Sequence, residues 1–130
     1  MDNNEAKPRI LLVDDEAAVT KLMHAYLSRL GYVADMSFDA AGAFKLAEEA
    51  TEPYDLLVAD LTLPDLPGKE VALRLLEEHP GLRVLLCSGY PVSVESLPEK
   101  VQIRCSSLLK PFVPNMLIKS IDDLLKRKID

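Results

Sequence analysis

The stretch RILLVDDE, residues 9–16, runs from an unbroken apolar segment straight into two adjacent carboxylates, Asp14 and Asp15. Four consecutive large aliphatic residues, Ile10 to Val13, show no polar alternation. That pattern predicts a strand buried on both faces, of the kind found in parallel sheets covered by helices. Two like charges at the exit of such a strand repel each other, and burying either one unpaired is costly. The rest of the chain has to supply what compensates them.

Downstream, strand-like and helix-like segments alternate. Val19, Leu22, Met23, Tyr26, Leu27 and Leu30 fall on an i, i+3, i+4, i+7 series that predicts an amphipathic helix ended by Gly31. Its polar side would carry Thr20, Lys21, His24 and Ser28, with His24 simply solvated, and Met23 and Met36 belong to the core. YVADM (32–36) predicts a weaker second strand, whose end offers no side chain comparable to those at the other strand ends. Asp39 can cap a helix reaching about Ala50, whose Ala40, Ala43, Phe44 and Ala47 suit close packing on a sheet. DLLVA (55–59) reads as a third strand, LTLPDLPG as a loop, and the following residues as a helix through about Glu78 with Val71, Ala72, Leu75 and Leu76 inward.

LRVLLCS (82–88) is the fourth and most apolar strand. Pro91 and Pro98 then bracket a segment with room for only a short or irregular helix. SSLL (106–109) gives a fifth short strand, and a last helix starts near Pro114 with a stripe of Leu117, Ile118, Ile121, Leu124 and Leu125. Five β/α repeats with short connections predict a single doubly wound α/β domain, a parallel sheet with helices on both faces. Ligands of such sheets bind at the carboxyl ends of the strands.

The composition agrees with one domain. The 130 residues are 48% hydrophobic, enough for a core that needs neither disulfides nor a structural metal. A net charge of −6 argues against a nucleic-acid surface, which would present a basic patch. The terminal KRKID is a basic helix end, too short for a nucleic-acid tail. Cys87 and Cys105 are too far apart for a CxxC redox or zinc pattern and read as inert small residues. The opening MDNNEAKP is polar, and no apolar run is long enough for a signal peptide or a membrane span, so a cytoplasmic location without membrane contact is expected. Residues 1–8 are expected to form a flexible segment, 9–127 the domain and 128–130 a tail, with no internal repeat or linker.

The chemistry lies in what the strand ends bring together. The first strand delivers Asp14 and Asp15, the third Asp60, the fourth Ser88 and the fifth Lys110. Three clustered carboxylates cannot all stay ionised without counter-charge, and one lysine is not enough. A hard divalent cation resolves the remainder, and Mg²⁺ fits because it takes few protein oxygens and keeps positions for water and phosphate. With a lysine and a hydroxyl beside it, such a site suits a phosphoryl group in transfer, and Asp60 is a plausible nucleophile.

On these motifs the chain resembles the receiver domains of two-component response regulators. LLVDDE resembles the family's first-strand acidic pair, and DLLVADLTLPDLPG its phosphoacceptor strand and loop. LLCSGYP resembles the hydroxyl-bearing fourth strand, and LLKPF the lysine–cis-proline turn. The resemblance covers roughly residues 9–127, with the motifs in the family's order and spacing. It implies a flavodoxin-like (βα)5 fold with strand order 2-1-3-4-5. It also implies that Asp60 accepts a phosphoryl group from a phosphohistidine on a partner histidine kinase or histidine phosphotransfer protein. Asp14, Asp15, Asp60 and the backbone carbonyl of Thr62 would hold Mg²⁺, Asp15 more directly than Asp14. Lys110 would pair with Asp60 at rest and with phosphate afterwards, Ser88 would hydrogen-bond a phosphate oxygen, and the Lys110–Pro111 bond would be cis. The chain would undergo self-catalysed phosphorylation and dephosphorylation without being an enzyme on other substrates.

Ser107 departs from the family pattern, because this position, three before the lysine, usually carries an aromatic ring that moves with the hydroxyl residue. Serine cannot fill or vacate that space, and Tyr90, two past Ser88, is a large side chain near the site entrance and a candidate for a substitute role. Thr62 and Tyr90 flank Asp60 where side chains tune the lifetime of the phosphoryl group, and Pro67 stiffens a turn often occupied by aspartate. The SGYP sequence with a poor fourth helix is reminiscent of receivers attached to hybrid histidine kinases. Two rival readings are a phosphorylation-independent interaction module and a Mg²⁺-dependent aspartyl phosphatase. The complete residue set opposes the first; the second typically has an acidic residue two past the nucleophile, where this chain has Thr62.

Overall fold

The computed structural model describes residues 7–129. Part of the expected flexible segment, residues 1–6, and the final residue of the expected tail lie outside the described residues. The elements run β1 (Arg9–Val13), α1 (Ala17–Arg29), β2 (Val33–Ser37), α2 (Ala40–Glu49), β3 (Leu56–Asp60), α3 (Gly68–Glu78), β4 (Arg83–Ser88), α4 (Glu99–Gln102), β5 (Cys105–Leu109) and α5 (Pro114–Lys126). All strand pairs are parallel and the sheet order is β2-β1-β3-β4-β5, the flavodoxin-like topology implied by the resemblance. The chain order reverses between β1 and β3, so a crevice opens at the carboxyl ends of these two strands.

The alternation of side chains along the strands divides the core in two. Leu11, Val13, Leu57, Ala59, Val84 and Leu86 face α2 and α3 on one side. Ile10, Leu12, Leu56, Val58, Leu85 and Cys87 face α1 and α5 on the other. The central strands are buried on both faces, which is why RILLV, DLLVA and LRVLLCS read as continuous apolar runs. Cys87 and Cys105 are free, buried on opposite faces of the sheet, and burial pushes their thiols up to about 12 and about 11.

Two glycines have specific reasons. Gly31, just past α1, adopts φ +96°, which L side chains rarely take. Gly68 opens α3 directly against β3, and a Cβ there would collide with the Asp60 carbonyl oxygen. Between β4 and β5 the chain forms one 3-10 turn (Val94–Ser96) and then the single turn of α4, the short irregular segment expected between Pro91 and Pro98.

The face of α1 is rotated from the predicted one. Thr20, Met23 and Leu27 are the buried residues, whereas Leu22 is 69% and Leu30 47% exposed. Thr20 can be buried because its hydroxyl meets the carbonyl oxygens of Asp14 at 2.9 Å and Glu16 at 3.0 Å. His24 is not simply solvated either: it is half-buried, and its Nε2 lies 2.8 Å from the Ala34 carbonyl oxygen of β2. Among the described residues no helix is long and apolar enough to cross a membrane.

Candidate functional site

The site forms where β1, β3, β4 and β5 end. Asp14 is the most constrained residue in it. Its N–H donates to the Ser37 carbonyl oxygen (3.2 Å), and its own carbonyl oxygen accepts from Thr20 Oγ1. One carboxylate oxygen accepts from the Glu16 N–H (3.0 Å) and the other from Lys110 Nζ (2.7 Å). The end of β2 brings no side chain comparable to those of the other strands, as expected, and contributes only the Ser37 backbone carbonyl. The next residue, Asp15, is exposed, so the acidic pair divides into one buried and one solvent-facing carboxylate.

Asp60 is the last residue of β3 and is buried. Its carboxyl is held above the usual carboxylate range, first by burial and then by the charge of Asp14; Lys110 and the Thr62 N–H oppose the shift without cancelling it. Lys110 was expected to pair with Asp60. It does so at 3.6 Å from Asp60 Oδ1, but its shortest contact is with Asp14, at 2.7 Å, and Glu16 Oε1 also lies 3.6 Å away. The Asp14 side chain is 3% exposed and that of Asp60 10%, so the carboxylate with less access to water takes the direct charge-assisted bond. Burial would lower the Lys110 ammonium; the hydrogen bond and charge of Asp14, with Asp60 and Glu16, outweigh it and raise the group.

One carboxylate oxygen from each of Asp14, Asp15 and Asp60 lies within 4.8 Å of the others. Two of these groups are buried, and the ammonium of Lys110 is the cation bridging them. A set of hard oxygens with net negative charge in a crevice fits a hard divalent ion such as Mg²⁺.

Ser88 ends β4, buried, with its carbonyl oxygen accepting from the Lys110 N–H (2.7 Å) and its Oγ from the Tyr90 N–H (3.1 Å). Since its oxygen is used as an acceptor, its proton remains available for donation. Tyr90 is 56% exposed and Thr62 is also exposed at the rim. The Lys110–Pro111 bond is cis. Ser107 is exposed on β5 and donates to the Val92 carbonyl oxygen (2.9 Å).

Asp65 gave no signal in the sequence. From the loop after Asp60 its carboxylate accepts from the N–H groups of Ala40 (2.8 Å) and Ala41 (3.0 Å), at the start of α2. Those backbone bonds lower its carboxyl below the usual range. The loop that follows Asp60 is thus fastened at one end by Asp65 and at the other by Gly68, whose N–H donates to the Leu61 carbonyl oxygen (2.9 Å).

A doubly wound five-stranded sheet thus gathers an acidic crevice, a hydroxyl and a lysine at its strand ends, where such folds bind their ligands. The sequence matches the response regulator receiver domain over residues 10–122, and the chain belongs to that family. It is 30% identical over 118 residues to the response regulator receiver protein CpdR of Brucella abortus, covering 90% of this chain and 96% of CpdR. It is 25% identical to the sensor kinase CckA of the same organism, covering 92% of this chain but 13% of CckA. Among solved structures, a CheY-like receiver domain protein from Methanospirillum hungatei superposes with a TM-score of 0.79 at 26% identity, covering 92% of this chain and 94% of that one. The chain is a receiver domain of two-component signalling.

Proposed function

We propose that this domain is a phosphoacceptor: Asp60 takes a phosphoryl group from a phosphohistidine of a histidine kinase or histidine phosphotransfer protein, in a Mg²⁺-dependent reaction. The observation that carries this reading is the meeting of three carboxylate oxygens within 4.8 Å, with Lys110 3.6 Å from Asp60. Asp14, Asp15 and Asp60, with the backbone carbonyl of Thr62, would hold the ion, which when bound neutralises charge on the transferring phosphoryl oxygens.

The chain's own residues do the rest. An Asp60 carboxylate oxygen forms a bond to phosphorus as the P–N bond of the phosphohistidine breaks, and the imidazole leaves neutral, keeping the proton already on its other ring nitrogen. Lys110, held between Asp14 and Asp60, shifts onto the phosphoryl oxygens once Asp60 is an acyl phosphate and its charge has moved outward. Ser88 supplies a hydroxyl proton to the same group. Thr62 and Tyr90, exposed at the rim, govern the access of water to the acyl phosphate. The chain turns over no other substrate, and its output is a change of protein–protein contacts.

Intact-mass measurement after incubation with acetyl phosphate tests this. One added phosphoryl group is expected, only with Mg²⁺ and not in Asp60→Asn. Unmodified wild-type protein would refute the reading, and turnover of unrelated phosphoesters would point to a phosphatase.

A further inference from the structure

The loop between β4 and the 3-10 turn holds Gly89, Tyr90, Pro91 and Val92. Among the described residues its backbone groups make two hydrogen bonds, and both go to serine hydroxyls. Ser88 Oγ accepts from the Tyr90 N–H at 3.1 Å, and Ser107 Oγ donates to the Val92 carbonyl oxygen at 2.9 Å. Ser107 pairs with Leu86 and Leu109 with Ser88 in the register of β4 and β5. Ser88 and Ser107 therefore stand on the same face of the sheet, two pairs apart in the register, with the loop fastened between them.

We infer that Ser107 is a positioning residue that acts on Ser88 through this loop: its hydroxyl tethers Val92 and holds the loop, and so the Ser88 hydroxyl, in the resting arrangement. The inference rests on the phosphoacceptor reading for its consequence, not for its geometry. A phosphoryl group on Asp60 draws the Ser88 hydroxyl toward it. Either the Tyr90 N–H follows its acceptor or it loses it, and in both cases the loop moves against the Ser107 tether. A neutral, exposed hydrogen bond is weak enough to be released and strong enough to bias the equilibrium. By linkage, whatever favours the resting loop weakens binding of a phosphoryl mimic by the same factor. Serine at this position thus works by a bond that opens, not by a ring that changes place.

The test compares Ser107→Ala, Ser107→Thr and wild type by titration with fluoroberyllate at saturating Mg²⁺, with Mg²⁺ affinity measured separately. Ser107→Ala should bind fluoroberyllate about 2- to 10-fold more tightly, the factor one such bond represents. Mg²⁺ affinity should stay unchanged, and Ser107→Thr, which keeps the hydroxyl, should behave as wild type. Equal or weaker fluoroberyllate binding by Ser107→Ala would overturn the inference while leaving the phosphoacceptor reading intact. Failure of the wild type to bind the mimic would overturn both. Amide exchange separates the tether from its consequence: the Tyr90 N–H should exchange faster in Ser107→Ala, and an unchanged rate also overturns the inference.

Discussion

Replacing Lys110 by methionine, which keeps much of the side-chain volume and removes the charge, exposes how the site is held together. Lys110 Nζ lies 2.7 Å from Asp14 and 3.6 Å from Asp60, and its side chain is 18% exposed. At an effective dielectric of about 20 those separations correspond to gross attractions of about 6 and about 5 kcal/mol. Much of this is offset by desolvation of the ammonium, and removing one partner of a buried pair typically costs about 3–5 kcal/mol net. Two effects reduce the cost further. The site is partly open to solvent, and Mg²⁺-free carboxylates there can be hydrated in place of the lost ammonium, while the Asp60 carboxyl is raised further without Lys110. A loss of about 2–4 kcal/mol in metal-free protein at neutral pH is expected from urea melts. Millimolar Mg²⁺ should return most of it, because the metal and the ammonium neutralise the same carboxylates. A loss that stays the same with and without Mg²⁺ would mean that Lys110 acts through packing, and the electrostatic account would be wrong.

Asp60→Asn should raise the melting temperature of metal-free protein at neutral pH. The folded carboxyl lies above its unfolded value of 3.8, so the folded state holds the extra proton between the two values and stability falls as pH rises through that window. The gain should vanish below about pH 3.8 in thermal melts, and a variant less stable than wild type at pH 7 would contradict this. Asp65→Asn has the opposite signature: the folded carboxyl is lowered, so its contribution is present above the unfolded value of 3.8 and lost as pH falls through the folded one. Acid titration of stability should show wild type and variant converging at low pH and separating above it. Gly68→Ala should destabilise the fold by about 1–3 kcal/mol in urea melts, since its Cβ meets the Asp60 carbonyl oxygen and cannot be accommodated without shifting β3. A neutral substitution there would mean that α3 has room to move off β3.

The sheet was legible because its central strands are buried on both faces, leaving Ile10–Val13, Leu56–Ala59 and Val84–Cys87 as uninterrupted apolar runs. The convergence of Asp14, Asp15, Asp60, Ser88 and Lys110 followed from the same pattern, since each stands at or just past a strand's carboxyl end. What escaped depends on hydrogen bonds, which leave no mark in a polarity pattern. Thr20 reads as polar and turns inward because its hydroxyl meets the Asp14 carbonyl oxygen, and this rotates α1 and leaves Leu22 outside. Asp65 acts on Ala40, 25 residues away, and Ser107 on Val92, 15 away; in both cases the acceptor or donor is backbone, which any residue type supplies. The choice of Asp14 over Asp60 by Lys110 turns on differences in burial that only packing decides.

The central claim is that the three carboxylates exist to place a phosphoryl group on one of them. Treating the protein with acetyl phosphate and Mg²⁺, trapping the acyl phosphate by borohydride reduction and mapping the peptides locates that group. The account predicts a single reduced residue, Asp60, and none when Mg²⁺ is chelated; reduction at another residue, or at Asp60 to the same extent without the metal, would contradict it.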